Sequence, residues 1–162
     1  MNLTGPLSAE ELVSHALEST LGGQLIAHGA RVLDIGSGAG LPGVPLAISR
    51  PDLSVTLLEP RVKRAAFLRH VVRSVPVENA RVVEKRAEKL SDEAYDVATS
   101  RAVGAVARVL RGAKFLGRQG GLLAWTTEPE EMEGALAPVF SLETVVTVPD
   151  SHRRVIALFR KR

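Results

Sequence analysis

Residues 31–43, reading Arg-Val-Leu-Asp-Ile-Gly-Ser-Gly-Ala-Gly-Leu-Pro-Gly, constrain the fold more than any other stretch of the chain. A short apolar run carries an acid near its end and passes into a segment with glycine at 36, 38, 40 and 43. That order fits a strand that stops at a tight turn and hands over to a helix whose free backbone N–H groups face a ligand. Glycine is needed there for positive φ and wherever a side chain would block a ligand lying on the backbone. Gly38, Gly40 and Gly43 satisfy the generic G-x-G-x-x-G spacing, which nucleotide turns with different ligands share. Asp34 discriminates between them, because a carboxylate two residues before Gly36 would repel a pyrophosphate but suits a ligand carrying an ammonium and a sulfonium. S-adenosylmethionine is such a ligand; the alternative is a glycine-rich turn that binds nothing.

At 162 residues the chain is long enough for one domain, 1–162, with a core of its own, preceded within it by a helical lead-in over 1–24. It has no cysteine, which removes disulfides, zinc–thiolate sites and thiol catalysis together. Aromatic residues make up 4 %, so stacking does not dominate ligand contact. No apolar stretch approaches the roughly 20 residues of a membrane helix, and the N-terminus lacks the pattern of a signal peptide. The expectation is a soluble cytoplasmic protein, a monomer with no membrane or metal partner.

Ser8-Ala9-Glu10-Glu11 forms a capping box, and Leu12, Val13, Ala16, Leu17 and Leu21 then recur at helical spacing up to Gly22-Gly23. Strands are expected at Arg31–Ile35, Leu53–Glu59, Ala80–Lys85, Tyr95–Ser100 and Gly121–Thr127, then at Phe140–Val148 and Val155–Arg160. Helices are expected from Pro42–Gly43 to before Pro51, from Arg61 to about Ser74, from Val103 to about Leu116, and over Glu128–Leu136. Strand alternating with helix implies an α/β fold, with a parallel sheet covered by helices on both faces. The last two strands follow each other without a helix and so pair antiparallel at one edge. Seven mostly parallel strands with an antiparallel last strand are the pattern of the Rossmann-like class I methyltransferase sheet.

Ligands of open α/β sheets sit beyond the carboxyl ends of the strands. Gly36, Ser37, Gly38 and Gly40 close the first strand, with Leu41 in the turn. Glu59 closes the second, where a carboxylate can accept ribose hydroxyls; a solvated charge before Pro60 is the plainer reading. Ala87-Glu88 follows the third and can frame an adenine edge, while Ser100-Arg101 closes the fourth and faces the transferred group. His15, His28, His70 and His152 make no metal pattern, and neither a G-x-S-x-G turn nor a Walker lysine is present.

The net charge is +3, and its distribution is uneven. Arg61, Lys63, Arg64, Arg69, His70 and Arg73 fall in one acid-free run, and Arg153, Arg154, Arg160, Lys161 and Arg162 crowd the end. Such clusters suit a polyanion such as nucleic acid, although each residue alone also reads as a solvated face.

Together, Asn2-Leu3-Thr4, the run LDIGSGAGLPGVPLAI, the run LLEPRVKRAAFLR, Arg86-Ala87-Glu88 and Ser100-Arg101-Ala102 resemble the RsmG (GidB) family, over residues 2–104 and more weakly beyond. That family methylates N7 of a guanine in 16S ribosomal RNA with S-adenosylmethionine. The resemblance implies that Gly36, Leu41, Ala87, Glu88 and Arg101 contact the cofactor, alongside Asp34, Ser37, Gly38, Gly40 and Glu59 from the residue reading. It implies Lys63 and Arg64 as a basic pair toward RNA, joined by Arg101, Arg153 and Arg154. The chain opens at the Asn-Leu-Thr motif, which the family usually precedes with a helical segment. It carries Thr126-Thr127 where the family tends to have Lys-Gly. The resemblance implies ribosomal RNA or the small ribosomal subunit as partner. Methylation of another RNA, a protein or a small molecule stays open, as does a non-catalytic RNA-binding module on this fold.

Overall fold

A computed structural model describes residues 8–162 apart from 76, 91–94, 102, 150 and 152; the motif Asn2-Leu3-Thr4, Ala102 and His152 therefore lie outside the described residues. The chain runs α1 (Ala9–Gly22), β1 (Arg31–Ile35), α2 (Gly43–Ser49), β2 (Ser54–Leu58), α3 (Val62–Ser74), β3 (Ala80–Val83) and β4 (Tyr95–Ser100). It continues through α4 (Val103–Arg111), β5 (Leu116–Thr126), α5 (Pro129–Leu136), β6 (Phe140–Thr147) and β7 (Val155–Lys161). One seven-stranded sheet has the order β3-β2-β1-β4-β5-β7-β6. The first five strands are parallel, whereas β7 runs antiparallel to both β5 and β6, so the last hairpin closes one edge as expected.

Alternation along the strands divides the core between two faces. Val32, Val55, Leu57, Val97, Leu123 and Ile156 pack with α2 and with Leu68 of α3. Leu33, Leu58, Ala98, Leu122, Ala157 and Phe159 pack under Val106, Ala107 and Leu110 of α4 and Met132 and Leu136 of α5.

Two expectations are corrected. The fourth helix stops at Arg111, not near Leu116, and β5 starts at Leu116 rather than Gly121. Continuing the inward spacing of Val106, Ala107 and Leu110 would bring Lys114 into the core; the helix instead ends at Arg111, before Gly112. Phe115 and Leu116, both buried, join the sheet instead: the Tyr95 amide donates to the Phe115 carbonyl at 2.7 Å. The pairing then skips from Tyr95↔Leu116 to Val97↔Gly121, leaving 117–120 as a bulged excursion.

The capping box of α1 forms as expected, with the Glu11 amide donating to Ser8 Oγ at 3.1 Å and the Ser8 amide to Glu11 Oε2 at 2.7 Å. Its inward face is not the apolar stripe, however. Glu18, Ser19 and Gly22 are buried, while Leu12, Val13 and Leu17 are 39 %, 59 % and 64 % exposed. The helix turns its small and charged side inward because Trp125 lies against it: a β-carbon on Gly22 would collide with the indole.

Candidate active site

The strand order reverses between β1 and β4, and the segments leaving these two strands form the crevice where α/β sheets hold ligands. The turn after β1 is fixed by the neighbouring strand. Gly36 and Ser37 both donate their amides to the Leu58 carbonyl, at 2.9 and 3.1 Å. Gly36, Gly38 and Gly40 take φ of +72°, +53° and +95°, the region that disfavours other residues. Glu59 sits under the turn, almost fully buried, accepting from the Gly38 amide at 3.0 Å and from the Arg61 amide at 2.9 Å. Its carboxylate thus ties the turn to the start of α3 from a position at the end of β2.

Asp34 lies deeper, 1 % exposed, beneath the turn rather than on the open wall. Its Oδ2 accepts from the Gly43 amide at 3.2 Å and its Oδ1 from the Thr99 hydroxyl at 3.1 Å, linking β1 to the start of α2 and to β4. Burial pushes this carboxyl up to about 6, against the hydrogen bonds that favour its charged form.

Three expected residues come together around one crevice of about 220 Å³: Gly36, Ala87 and Glu88, with Ile35, Leu58, Pro60, Arg108 and Val109. The walls are partly apolar and a β-carbon on Gly36 would meet none of the described residues within 4 Å, so the backbone there is open to a flat ligand. Ser37, Gly38, Gly40 and Leu41 shape the turn behind it. Pro60 and Arg86 also border a depression of about 530 Å³ with Arg61, Glu84, Lys85 and Lys89; of its basic residues, Lys85 and Lys89 are ones that the sequence reading did not single out.

Arg101 stands apart from that crevice, in a second cleft of about 530 Å³ with Trp125, Thr126, Thr127, Glu128, Met132 and Arg154. Its Nη2 donates to Glu18 Oε2 at 2.9 Å and its Nη1 to the His15 carbonyl at 3.0 Å. Arg154 Nη1 donates to the same carboxylate, at 2.6 Å to Oε1 and 2.9 Å to Oε2. Trp125 Nε1 donates to the Glu18 carbonyl at 3.2 Å. Burial lowers the Arg101 pKa while Glu18 opposes that shift. Glu18 was missed by sequence reasoning; an acid beside Ser19 and Gly22 on a helix face was its one local signal.

Of the other basic residues, Lys63 and Arg153 are exposed, and Arg64 reaches back so that its Nη1 would lie 3.8 Å from a β-carbon on Gly38. His28 approaches Asp52 at 4.0 Å from the opposite end of the sheet, with its own side chain 89 % exposed. Among the described residues no group of three or more His, Cys, Asp or Glu side chains could hold a metal ion, and no helix is long and apolar enough to cross a membrane.

Comparison with known proteins gives these arrangements a context. A family model, GidB, described as rRNA small subunit methyltransferase G, matches residues 1–148. The ribosomal RNA small subunit methyltransferase G of Thermobifida fusca is 45 % identical over 134 residues, 81 % of this chain and 56 % of that protein. Its counterpart in Mycobacterium marinum is 44 % identical over 138 residues, 80 % of this chain and 60 % of that protein. The chain therefore spans little more than half the length of these relatives. Among solved structures, TrmN from Thermus thermophilus superposes with a TM-score of 0.72 at 21 % identity, covering 91 % of this chain and 49 % of that one. A SAM-dependent methyltransferase from Aquifex aeolicus gives 0.71 at 15 % identity, covering 94 % and 93 %. At such identities the likeness is one of fold, the Rossmann-like methyltransferase sheet.

Proposed function

This chain belongs to the rRNA small subunit methyltransferase G (GidB) family, and from that membership we propose that it methylates RNA of the small ribosomal subunit, at N7 of a guanine, using S-adenosylmethionine. The observation that carries this reading is the open, positive-φ turn at Gly36 facing Ala87 and Glu88 where the strand order reverses. The residues present fit the cofactor. Partly apolar walls at Ile35, Leu58 and Val109 suit an adenine, Glu59 closes β2 nearby, and Asp34 supplies negative charge beneath the turn.

When bound, the cofactor supplies a methyl carbon made electrophilic by a positively charged sulfur. The protein's part is arrangement. Guanine N7 carries a lone pair and no proton, so no side chain is needed as a general base. Rate comes from holding the acceptor in line and close to contact. Gly36 leaves the backbone clear for the cofactor, and Arg101 and Arg154 border the neighbouring cleft where an acceptor with a phosphate backbone can enter. A base reached in this way must be unpaired or displaced from its helix. Lys63, Arg64 and Arg153 supply further positive charge for the RNA backbone.

The test is direct. Calorimetry with S-adenosylmethionine measures cofactor binding, and incubation with labelled cofactor and unmodified small ribosomal particles locates the product. Label on a guanine N7 of the small-subunit RNA supports the proposal. Folded protein that binds no cofactor refutes it, and binding without transfer would favour the non-catalytic reading.

A further inference from the structure

Glu18 is the meeting point of two arginines that the chain brings from far apart, Arg101 just after β4 and Arg154 just before β7. Its side chain is 9 % exposed, against 18 % for Arg101 and 34 % for Arg154. Two guanidinium groups placed side by side repel each other unless an anion lies between them. Glu18 is that anion, and each of its oxygens is engaged at hydrogen-bond distance. The His15 carbonyl takes a second N–H of Arg101, so the guanidinium is held at two points and its plane is set. Each guanidinium has five N–H donors, more than these contacts among the described residues use, and both arginines line the same cleft of about 530 Å³. Glu128 and Glu131 also line the cleft, so the positive charge is confined to the wall that the two arginines form together rather than spread over the whole cleft.

The manner in which α1 docks is informative. The helix leaves Leu12, Val13 and Leu17 facing outward and commits its inward face to Glu18, Ser19 and Gly22. Trp125, on the wall of the cleft, donates to the Glu18 carbonyl, so backbone and side chain of this residue both engage the cleft. Of its leucines only Leu21 packs partly against the core, whereas the acid is buried.

We propose that Glu18 is a positioning residue for the acceptor cleft, fixing Arg101 and Arg154 as a paired cationic wall against which the RNA to be methylated is aligned. This rests on the methyl-transfer reading above. Glu18 touches neither cofactor nor acceptor; it acts through the two arginines.

The test compares the unaltered 162-residue chain with Glu18→Gln, which removes the charge and keeps the shape, and Glu18→Asp, which keeps the charge. Three quantities are measured: unfolding midpoint, kcat and KM for methyl transfer to unmodified small-subunit RNA, and the rate at which phenylglyoxal modifies Arg101 and Arg154. Exposed Arg118 serves as the internal control for the reagent. Glu18→Gln is expected to lower kcat by about 10- to 100-fold with KM changed much less, the signature of a misaligned rather than unbound acceptor. Glu18→Asp should recover much of that loss, and Arg101 and Arg154 should react several-fold faster in the Gln variant while Arg118 does not change. The proposal is overturned if Glu18→Gln keeps wild-type kcat, or if both arginines react at the wild-type rate. It is equally overturned if both variants lose stability while kcat per folded molecule holds, since Glu18 would then only staple α1. Absence of transfer by the wild-type chain would sink the methyltransferase reading instead, and the labelling rates would still decide whether Glu18 holds the two arginines.

Discussion

Gly43 approaches Asp34 so closely that a β-carbon added to it would lie 2.6 Å from Asp34 Oδ2 and 3.0 Å from Asp34 Cβ, and would also collide with Leu57. The missing side chain lets the first turn of α2 rest on β1 and point the Gly43 amide at the carboxylate. Gly43→Ala should therefore destabilise the fold by about 1–3 kcal/mol through overpacking. Urea unfolding checks this, and a midpoint unchanged from wild type would mean that α2 can shift at no cost.

Gly36 belongs to the same glycine run for a different reason. None of the described residues lies within 4 Å of its β-carbon position, so among them no contact opposes substitution and its φ of +72° is what resists it. Gly36→Ala should cost about 1–2 kcal/mol of stability from the left-handed backbone. The added methyl would stand in the crevice itself, so S-adenosylmethionine affinity should fall by much more than the stability change explains. Calorimetry of the folded variant with normal affinity would place the cofactor elsewhere.

Asp34 gives a pH dependence of defined sign. Its carboxyl is raised from an ordinary 3.8 to about 6, so the folded chain holds this proton more tightly than the unfolded chain does. The contribution is fully present below about 3.8 and is lost as pH rises through about 6, on the order of 2–3 kcal/mol. Asp34→Asn keeps an acceptor for the Gly43 amide and a donor for the Thr99 hydroxyl, and should flatten the stability profile across that window. Affinity for the cationic cofactor should move the other way in wild type, rising with pH through the same window as the carboxylate gains its charge. Urea melts and calorimetry between the two pH limits measure both trends; parallel profiles for wild type and variant would contradict the assignment.

The basic residues separate into two groups by what they touch. Lys63 and Arg153 are exposed and distant in role from the glycine turn, so Lys63→Ala and Arg153→Ala should weaken RNA binding and each reduce the salt slope by about one unit. Cofactor affinity should not change in either. Arg64 overlies Gly38, so Arg64→Ala should affect both ligands. Equal losses for RNA and cofactor in all three variants would show that the two sites are not divided.

Much of this arrangement was legible locally. The glycine turn, the capping box of α1 and the exact spans of β1 and β4 follow from φ requirements, hydrogen-bonding side chains and apolar runs, all of which act over a few residues. The end of α4 was harder, because Phe115 and Leu116 are apolar in either state, and pairing with Tyr95 made Leu116 the start of a strand. The inward face of α1 was not legible locally for a related reason. Apolar spacing marks a face that can be buried, but Trp125, 107 positions from Glu18, selected the face that is.

The sequence by itself determined the order of strands and helices, the glycine turn after β1 and the strand ends at which chemistry-bearing side chains emerge. Only the tertiary structure decided that Asp34 lies beneath the turn and that Gly43 is a packing glycine whereas Gly36 is an open one. It alone joined Glu18 to Arg101 and Arg154, across 83 and 136 positions of chain. The physical reason is range: backbone preference and periodicity are set by neighbours in sequence, whereas burial and ion pairing are set by neighbours in space, and parallel crossovers bring distant segments together without leaving a local mark.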